Sequence, residues 1–200
     1  MTAPRPAIVG VPPLPLEIDP ATHRLIGVRQ LESPHADARP DPADISLLVV
    51  HAIALPPETF GGNFVDDLFM GRLDCAAHPY FEGLRGVRVS AHAFVRRDGS
   101  VTQFVAFDRR AWHAGESSFD GRSRCNDFSV GVELEGSDTQ AFTDAQYISL
   151  VRISDALLRR YPQLTPERIA GHADIAPHRK TDPGPHFDWL RFQTELQFPR

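Results

Sequence analysis

The pattern of hydrophobic and polar positions along the chain predicts several strands. Residues 45–50 (ISLLVV) form an unbroken apolar run that ends at His51. Because this run is short and rich in β-branched side chains, it is typical of a strand that is buried on both faces. Residues 87–108 are predicted to form two strands joined at Asp98 and Gly99, since an Asp-Gly pair between apolar segments is a strong hairpin signal.

Residues 127–136 alternate in polarity, as a strand does when its two faces have different surroundings. Gly131, Glu133 and Glu135 fall on one face of this predicted strand. A shorter strand is predicted at residues 24–30. The alternation therefore places two carboxylates side by side on one face of a sheet.

Helical periodicity is clearest in residues 143–160. Thr143 and Gln146 form the capping box that begins many helices, and apolar residues follow at helical spacing. Shorter helices are predicted at residues 63–73 and 187–196. Since strands and helices alternate around one hairpin, we predict an α/β fold, a single domain with a mixed central β-sheet flanked by helices.

The beginning of the chain differs in composition from the rest. Residues 1–22 are rich in proline and are predicted to form an N-terminal extension, followed by one folded domain over residues 23–200. A chain of 200 residues, 42% of them hydrophobic, is long enough for one sizeable core. Arg5 is the only early positive charge and prolines interrupt the apolar stretch, so no export signal is predicted and we expect a cytoplasmic protein.

Charge and cysteine content exclude several classes of partner. The formal net charge is -5 and no run is rich in Lys or Arg, so neither nucleic acid nor a membrane is an expected partner. No apolar stretch approaches the roughly 20 residues that span a bilayer. Cys75 and Cys125 lack the spacing of a metal site and are predicted to be reduced thiols. We expect a monomer.

Candidate chemistry is densest in residues 171–185 (GHADIAPHRKTDPGP). Among its residues are His172, His178 and Asp182, and its Pro and Gly residues predict a rigid, non-helical backbone. A catalytic zinc site takes three protein ligands of these types and keeps one position for water. His51 is a further candidate, because it follows a buried strand and sites often lie at strand ends. The spacing alone leaves two interpretations open: some of these side chains bind metal, or all are ordinary loop and core residues.

Six segments resemble the AmpD-type anhydromuramyl-peptide amidases, which belong to a wider family with phage-type amidases and peptidoglycan recognition proteins. They occur in the family's order: LLVVHAIALPPETFGG, VRVSAHAFVRRDG, RAWHAGES, RCNDFSVGVELEG, TDAQY and GHADIAPHRKTDPGPHFDW. The resemblance extends from about residue 24 to about residue 192. It implies a zinc-dependent N-acetylmuramoyl-L-alanine amidase.

The resemblance also implies roles for individual residues. It places the metal ligands at His51, His172 and Asp182, and the catalytic groups at Glu133 and Lys180. This set is chemically consistent. Zinc lowers the pKa of a bound water to about 7, a carboxylate can accept the water's proton, and an ammonium group can stabilise an oxyanion.

Four further residues are predicted to bind substrate: Arg88, Trp112, His113 and Arg124. The two arginines suit substrate carboxylates because a guanidinium group pairs with a carboxylate through two hydrogen bonds. Gly131 is expected to leave room for the approaching substrate, since it has no side chain.

Some neighbouring positions have other expected roles. His92 and His113 either line the cleft or orient a metal ligand. Glu135 shares the face of Glu133 and is expected to be structural, because glutamate is rarely buried without a partner. Ala52 stands where the family usually has Asn after the first metal-binding His, which is expected to change substrate affinity rather than the chemistry.

The resemblance favours an amidase that hydrolyses the lactyl–L-alanine amide bond of 1,6-anhydro-N-acetylmuramyl peptides in cytosolic peptidoglycan recycling. The expected partner is a small-molecule muropeptide. One alternative is an amidase of the same fold that acts on intact peptidoglycan or on non-anhydro muropeptides. A remoter one, a non-catalytic muropeptide-binding module, is disfavoured because every residue of the implied metal and catalytic set is present.

Overall fold

The computed structural model describes residues 15–197. Its strands are Arg29–Gln30 (β1), Ala36–Ala38 (β2), Leu47–Ile53 (β3), Ala93–Val95 (β4), Val101–Gln103 (β5), Arg109–Ala111 (β6), Ser118–Phe119 (β7), Arg122–Ser123 (β8), Ser129–Glu135 (β9) and Ile169–Gly171 (β10). Its α-helices are Phe64–Phe69 (α1), Asp144–Arg160 (α2), His172–Ile175 (α3) and Trp189–Gln197 (α4). Short 3-10 helices lie at Pro79–Leu84, Cys125–Asp127 and Pro166–Arg168. None of the helices in this range is long and apolar enough to cross a lipid bilayer.

Six strands form the central sheet in the order β1-β5-β4-β9-β3-β10. The pairs β4–β9, β9–β3 and β3–β10 are parallel, and so is the edge pair β1–β5. The pair β4–β5 is antiparallel and forms the hairpin predicted around Asp98 and Gly99. The sheet is therefore mixed, which confirms the predicted fold class.

The pairing of β3 with β9 determines which side chains meet at the centre of the sheet. The two strands pair along their whole length, and the register places His51 directly beside Glu133. Because neighbouring residues on paired strands point to the same face, both side chains project to one side of the sheet. On the other edge of β3, β10 ends at Gly171, so that the next residue is His172.

Helix α2 packs on the sheet and contributes much of the main core. Buried side chains of β9 and α2 share this core: Val130, Val132, Leu150, Ile153 and Leu157. The predicted capping box at its beginning is confirmed. Thr143 Oγ1 accepts from Gln146 N at 3.2 Å, and Gln146 Oε1 accepts from Thr143 N at 3.1 Å.

The folded part of the chain begins earlier than residue 23. Leu16 and Ile18 are buried in the main core, and the guanidinium group of Arg159 donates to the carbonyl oxygen of Leu16 at 2.8 Å. The last part of the predicted extension therefore packs as part of the domain, since its apolar side chains alternate inward. Residues 1–14 lie outside the described residues, and for them the extension stays a prediction.

Two other local predictions differ from the structure. The strand expected at residues 24–30 is shortened to β1. Residues 171–185 contain the short helix α3, although the segment was expected to be non-helical. The reason is local: the carboxylate of Asp174 accepts from the backbone N–H of Gly171 at 2.7 Å and caps the turn.

Candidate metal centre and active site

Three side chains converge near the carboxyl ends of β3 and β10. His51 Nδ1 lies 3.0 Å from His172 Nδ1 and 3.0 Å from Asp182 Oδ2, and His172 Nδ1 lies 3.1 Å from the same oxygen. Both imidazoles are buried, whereas the carboxylate is 16% exposed. The structure thus brings together the three residues that the resemblance implied as ligands.

The geometry of these three atoms fits a metal ion. Tetrahedral zinc with bonds of 2.0–2.1 Å separates its ligand atoms by about 3.3 Å. The three separations in the cluster are nearly equal to one another and close to that value. Two nitrogen donors and one oxygen donor also suit zinc, among other divalent metals. The cluster of His51, His172 and Asp182 can therefore hold a metal ion.

Protonation also favours a metal at this position. Burial lowers the pKa of His51 to about 4, so its imidazole is neutral at pH 7. Burial alone would raise the pKa of Asp182, but hydrogen bonds with His172 and His51 hold it below the usual range. A neutral imidazole and an ionised carboxylate are the forms that bind metal.

Glu133 lies beside this cluster on β9 and has a free carboxylate oxygen. Its Oε2 atom is buried and has no hydrogen-bond partner within residues 15–197. Burial, and then the negative charge of Asp182, raise the pKa of Glu133 well above its usual value, while the charge of Lys180 opposes the shift. Unpartnered buried oxygens are rare in structural positions, and a free oxygen with a raised pKa is characteristic of acid–base groups.

A cleft of about 390 Å³ opens over the cluster. Polar side chains that line it include Glu133, Lys180 and Asp182. Apolar side chains line it as well: Ile53 at the end of β3, and Leu55, Leu68, Leu84, Val87 and Val89 from the chain between β3 and β4. A substrate in this cleft would meet both the polar groups and a hydrophobic surface.

Tyr80 also lines the cleft and was not selected from the sequence. It lies on the 3-10 helix at Pro79–Leu84, and its side chain is 48% exposed, whereas the adjacent Phe81 is fully buried. The sequence offers two consecutive aromatic residues and no pattern that separates them. Only the geometry of this helix turns one ring to the cleft and the other to the core.

His113 contacts the metal cluster from the side. Its Nδ1 atom lies 2.9 Å from Nε2 of His51, and its Nε2 atom lies 3.2 Å from Oγ of Ser129. Its ring covers Gly131, where a Cβ atom would lie 2.5 Å from a ring atom. The expectation that Gly131 leaves room for substrate is therefore wrong, since His113 fills that space. His113 also lines the cleft, and its role in substrate binding stays a prediction.

The other three residues predicted to bind substrate are not among the described residues that line the main cleft. Arg88 lines a smaller neighbouring cavity of about 160 Å³. Arg124 is exposed, and its Nε atom lies 3.2 Å from the carboxylate of Asp127. The ring of Trp112 stacks on His35 at a centroid distance of 6.0 Å. Their roles in substrate binding also stay predictions.

Glu135 and His92 have structural contacts. The carboxylate of Glu135 is buried and accepts from the backbone N–H groups of Gly61 at 2.5 Å and Arg97 at 3.0 Å. The buried ring of His92 accepts from the N–H of Gly131 at Nδ1, 3.0 Å away. The structural role expected of Glu135 agrees with these contacts.

Comparison with known proteins identifies the family of the chain. The family profile of N-acetylmuramoyl-L-alanine amidases matches residues 41–185. The 1,6-anhydro-N-acetylmuramyl-L-alanine amidase AmpD of Haemophilus influenzae is 55% identical over 173 residues, which cover 86% of this chain and 94% of that protein. AmpD of Escherichia coli K12 is 56% identical over 169 residues, or 84% of this chain and 92% of that protein.

Solved structures agree with this comparison. A crystal structure of selenomethionine AmpD matches with a TM-score of 0.84 and 57% identity, covering 86% of this chain and 96% of that one. The E. coli amidase AmiD, in complex with anhydro-N-acetylmuramic acid-L-Ala-D-γ-Glu-L-Lys, matches with a TM-score of 0.57 and 30% identity, covering 76% of this chain and 57% of that one. The chain therefore belongs to the N-acetylmuramoyl-L-alanine amidase family, in its AmpD-type group.

Proposed function

We propose that the protein is a zinc amidase that hydrolyses the lactyl–L-alanine bond of 1,6-anhydro-N-acetylmuramyl peptides during peptidoglycan recycling. The observation that carries the proposal is the three-donor cluster of His51, His172 and Asp182 beside the free carboxylate oxygen of Glu133, with His172, Asp182 and Glu133 lining one cleft. Relatives that are 55–58% identical over most of their length are named as amidases of this anhydro substrate, which supports the substrate assignment.

The proposed ligands are His51, His172 and Asp182. When bound there, zinc would act as a Lewis acid and make a water molecule acidic near neutral pH. Glu133 then accepts the proton of the attacking water and passes it to the departing amine of L-alanine, which needs a proton to leave. Its free Oε2 atom suits this exchange, since no competing hydrogen bond from residues 15–197 has to break.

Lys180 is proposed to stabilise the negative charge that develops on the carbonyl oxygen. It lines the same cleft as Glu133 and Asp182. An ammonium group held where charge develops lowers the barrier because the interaction is stronger in the transition state than in the bound substrate. The proposal thus assigns proton transfer to Glu133 and charge stabilisation to Lys180.

The cleft wall supports a substrate that is partly apolar. The side chains between β3 and β4 give the sugar or the stem peptide a hydrophobic surface, and Tyr80 lines the same cleft. Arg88, Trp112, His113 and Arg124 are proposed as substrate-binding residues. His113 lines the main cleft, and Arg88 lines the adjoining cavity. Location in the cytoplasm and a monomeric state are part of the same proposal.

A paired hydrolysis assay tests the proposal. The purified protein, loaded with zinc, is given an anhydromuramyl tripeptide or its reducing-end counterpart, and the products are separated by mass. We expect release of peptide mainly from the anhydro substrate, abolished by a chelator and restored by added zinc. Metal analysis of the purified protein checks the identity of the ion.

Other results would overturn parts of this proposal. Equal cleavage of both substrates would show a broader amidase that also acts on non-anhydro muropeptides or on intact peptidoglycan. Binding of either substrate without cleavage, in the zinc-loaded protein, would show a muropeptide-binding module. Full activity after complete removal of metal would exclude the assignment of His51, His172 and Asp182 as ligands of a catalytic ion.

A further inference from the structure

Two consecutive residues contact both imidazoles of the metal cluster through the ring nitrogens that do not face it. His51 Nε2 lies 2.9 Å from Nδ1 of His113. His172 Nε2 lies 3.0 Å from the carbonyl oxygen of Ala114, the next residue along the chain. Residues 113 and 114 therefore supply the outer hydrogen-bond partners of both histidines at once.

These contacts determine which nitrogen of each imidazole carries the proton. The carbonyl oxygen of Ala114 can only accept, so His172 must carry its proton on Nε2, and Nδ1 keeps its lone pair for a metal. For His51, a metal on Nδ1 requires the proton on Nε2, which His113 Nδ1 can accept. The proton of His113 then lies on Nε2, where Oγ of Ser129 accepts it at 3.2 Å.

The segment itself is held by one side chain. Asn126 Oδ1 accepts from the backbone N–H of His113 at 3.2 Å and from that of Ala114 at 2.8 Å. Both partners are donors, so the accepting atom of the amide must be its oxygen. The carbonyl oxygen of Ala114 also accepts from the guanidinium group of Arg179 at 2.7 Å, so the peptide groups on both sides of Ala114 are held by side chains.

Asn126 is itself fixed in place before β9 begins. It lies in the 3-10 turn Cys125–Asp127, whose carbonyl groups at Asn126 and Asp127 accept from Arg39 Nη1, each at 3.2 Å. The side chain of Arg39 is buried and also donates to the carbonyl oxygen of Ser129 at 2.6 Å. The amide of Asn126 therefore has little freedom to move away from residues 113 and 114.

We propose that Asn126 is a positioning residue for the metal centre, because its side-chain oxygen fixes the backbone N–H groups of His113 and Ala114, the two residues that contact His51 and His172. The inference rests on the proposed function only in assuming that the cluster binds a metal. Outer hydrogen bonds of this kind set the orientation and tautomer of a ligand, and their loss typically weakens metal binding 10- to 100-fold.

Two substitutions separate this role from simple packing. Asn126→Leu keeps the size of the side chain but removes the accepting oxygen, and we expect zinc affinity to fall about 10- to 100-fold. Asn126→Asp keeps an accepting oxygen, and we expect affinity within about threefold of the parent protein. Affinity is measured by competition with a chromophoric chelator. Asn63→Leu, at an exposed position before α1, is the matched control with unchanged affinity.

A spectroscopic measurement tests the same inference in the metal-free protein. Histidine ¹⁵N NMR shifts should show the Nε2–H form of His172 in the parent protein and in N126D, and a mixture of tautomers in N126L. If N126L does not fold, Asn126→Ser takes its place, since its shorter side chain withdraws the oxygen with less change in bulk. If the folded Leu or Ser variant has the zinc affinity and the His172 tautomer of the parent protein, the inference is overturned. It is also overturned if N126D loses as much zinc affinity as that variant does.

These measurements use no substrate. A protein that binds zinc and responds to N126L as expected, but cuts no anhydromuramyl peptide, would overturn the proposed function and leave the role of Asn126 intact. If instead the parent protein cuts the peptide and N126L binds zinc as tightly as the parent does, the proposed function stands and the role of Asn126 is overturned.

Discussion

The histidines near the site differ in function because their hydrogen-bond partners differ. His92 is fully buried, and both of its ring nitrogens have backbone partners: Nδ1 accepts from Gly131 N at 3.0 Å, and Nε2 lies 3.0 Å from the carbonyl oxygen of Arg109. Burial, and then the charge of Arg39, lower the pKa of His92 to about 3. This histidine is therefore a neutral bridge between strands.

The depressed pKa of His92 predicts a pH dependence of stability. The unfolded chain takes up a proton near pH 6.5, whereas the folded protein does so only near pH 3. The stabilisation that comes from neutral His92 is complete above pH 6.5. It is lost as the pH falls from 6.5 towards 3, at about 1.4 kcal/mol per pH unit. In His92→Gln, which can keep both hydrogen bonds, urea unfolding should depend less steeply on pH. Parallel curves for the two proteins would contradict the prediction.

Glu133 is expected to matter for turnover but not for metal binding. Glu133→Gln keeps the shape of the side chain and removes its ability to accept a proton, so kcat should fall by about 10²- to 10⁴-fold. Zinc content should stay stoichiometric, since Glu133 is not one of the three proposed ligands. Steady-state kinetics and metal analysis on the same preparation check both statements. A kcat close to that of the parent protein would remove Glu133 from the mechanism.

Asp182 should behave differently from Glu133. Asp182→Ala removes one of three donors, so zinc and activity should be lost together. Asp120→Ala is the control, because Asp120 is exposed, forms an ion pair with Arg168 at 3.5 Å and is not part of the cluster. Stoichiometric zinc in the Asp182 variant would show that this residue is not a ligand.

At the scale of elements, the end of β9 connects three parts of the molecule. The buried carboxylate of Glu135 accepts from Gly61 N and from Arg97 N. Gly61 lies in the segment between β3 and β4 (residues 54–92), which we call the rim, and Arg97 lies in the β4–β5 hairpin. The carbonyl oxygen of Glu135 accepts from Gln146 Nε2 in the first turn of α2 at 2.9 Å. Rim, hairpin and helix are thus joined through one residue of the strand that also bears Glu133.

Glu135→Gln is expected to weaken this junction. The new amide nitrogen would face a backbone N–H donor, so one buried hydrogen bond becomes a contact between two donors, at a cost of about 1–3 kcal/mol. Urea unfolding measures the loss, and faster hydrogen exchange at Gly61 or Arg97 locates it. Glu17→Gln serves as the control, since Glu17 is exposed. Equal stability of the two variants would show that the junction contributes nothing.

Local features of the fold were predictable from the sequence, and long-range ones were not. The capping box of α2 and the β4–β5 hairpin depend on residues a few positions apart, so pattern alone identified them. The register that sets His51 beside Glu133 joins strands about 80 residues apart in sequence, and only packing determines it. Helix α3 was missed because its Pro- and Gly-rich surroundings outweighed a cap that Asp174 supplies.

The candidate site was predicted unevenly for a similar reason. Motifs predicted the ligand cluster, Glu133 and Lys180. The structure brings the three ligand residues together and places Glu133 and Lys180 in the cleft beside them. The sequence did not identify Tyr80 or Asn126 as residues of the site. Their positions depend on short 3-10 helices, which leave no periodic pattern in the sequence. The space above Gly131 was misjudged because the ring that fills it comes from His113, on a different part of the chain.

At the scale of the whole molecule, the described residues contain a large apolar core. It includes Val132, Leu150 and Phe192, side chains that pack without any help from a metal ion. The domain should therefore fold without metal, unlike small domains whose only core is a metal site. Metal binding adds stability because it favours the folded state.

Removal of metal should lower the melting temperature without unfolding the protein. Free zinc at 1,000 times its Kd stabilises the folded state by about 4 kcal/mol. For a chain of this size, this corresponds to a change in Tm on the order of 10 °C. Calorimetry with and without a chelator measures the change, and the far-ultraviolet circular dichroism at 25 °C should stay unchanged. Loss of the helical signal on chelation would show that the fold depends on the metal.

The central position of β3 and β9 affects how the enzyme exchanges substrate and product with solvent. Both strands have a neighbour on each side, so their amides should exchange with deuterium only when the whole domain unfolds. The rim between β3 and β4 has shorter elements and more exposed backbone, and it can open in far smaller fluctuations. We therefore expect product to leave by local opening of this segment, while the central strands keep the spacing of His51 and Glu133 for the next turnover.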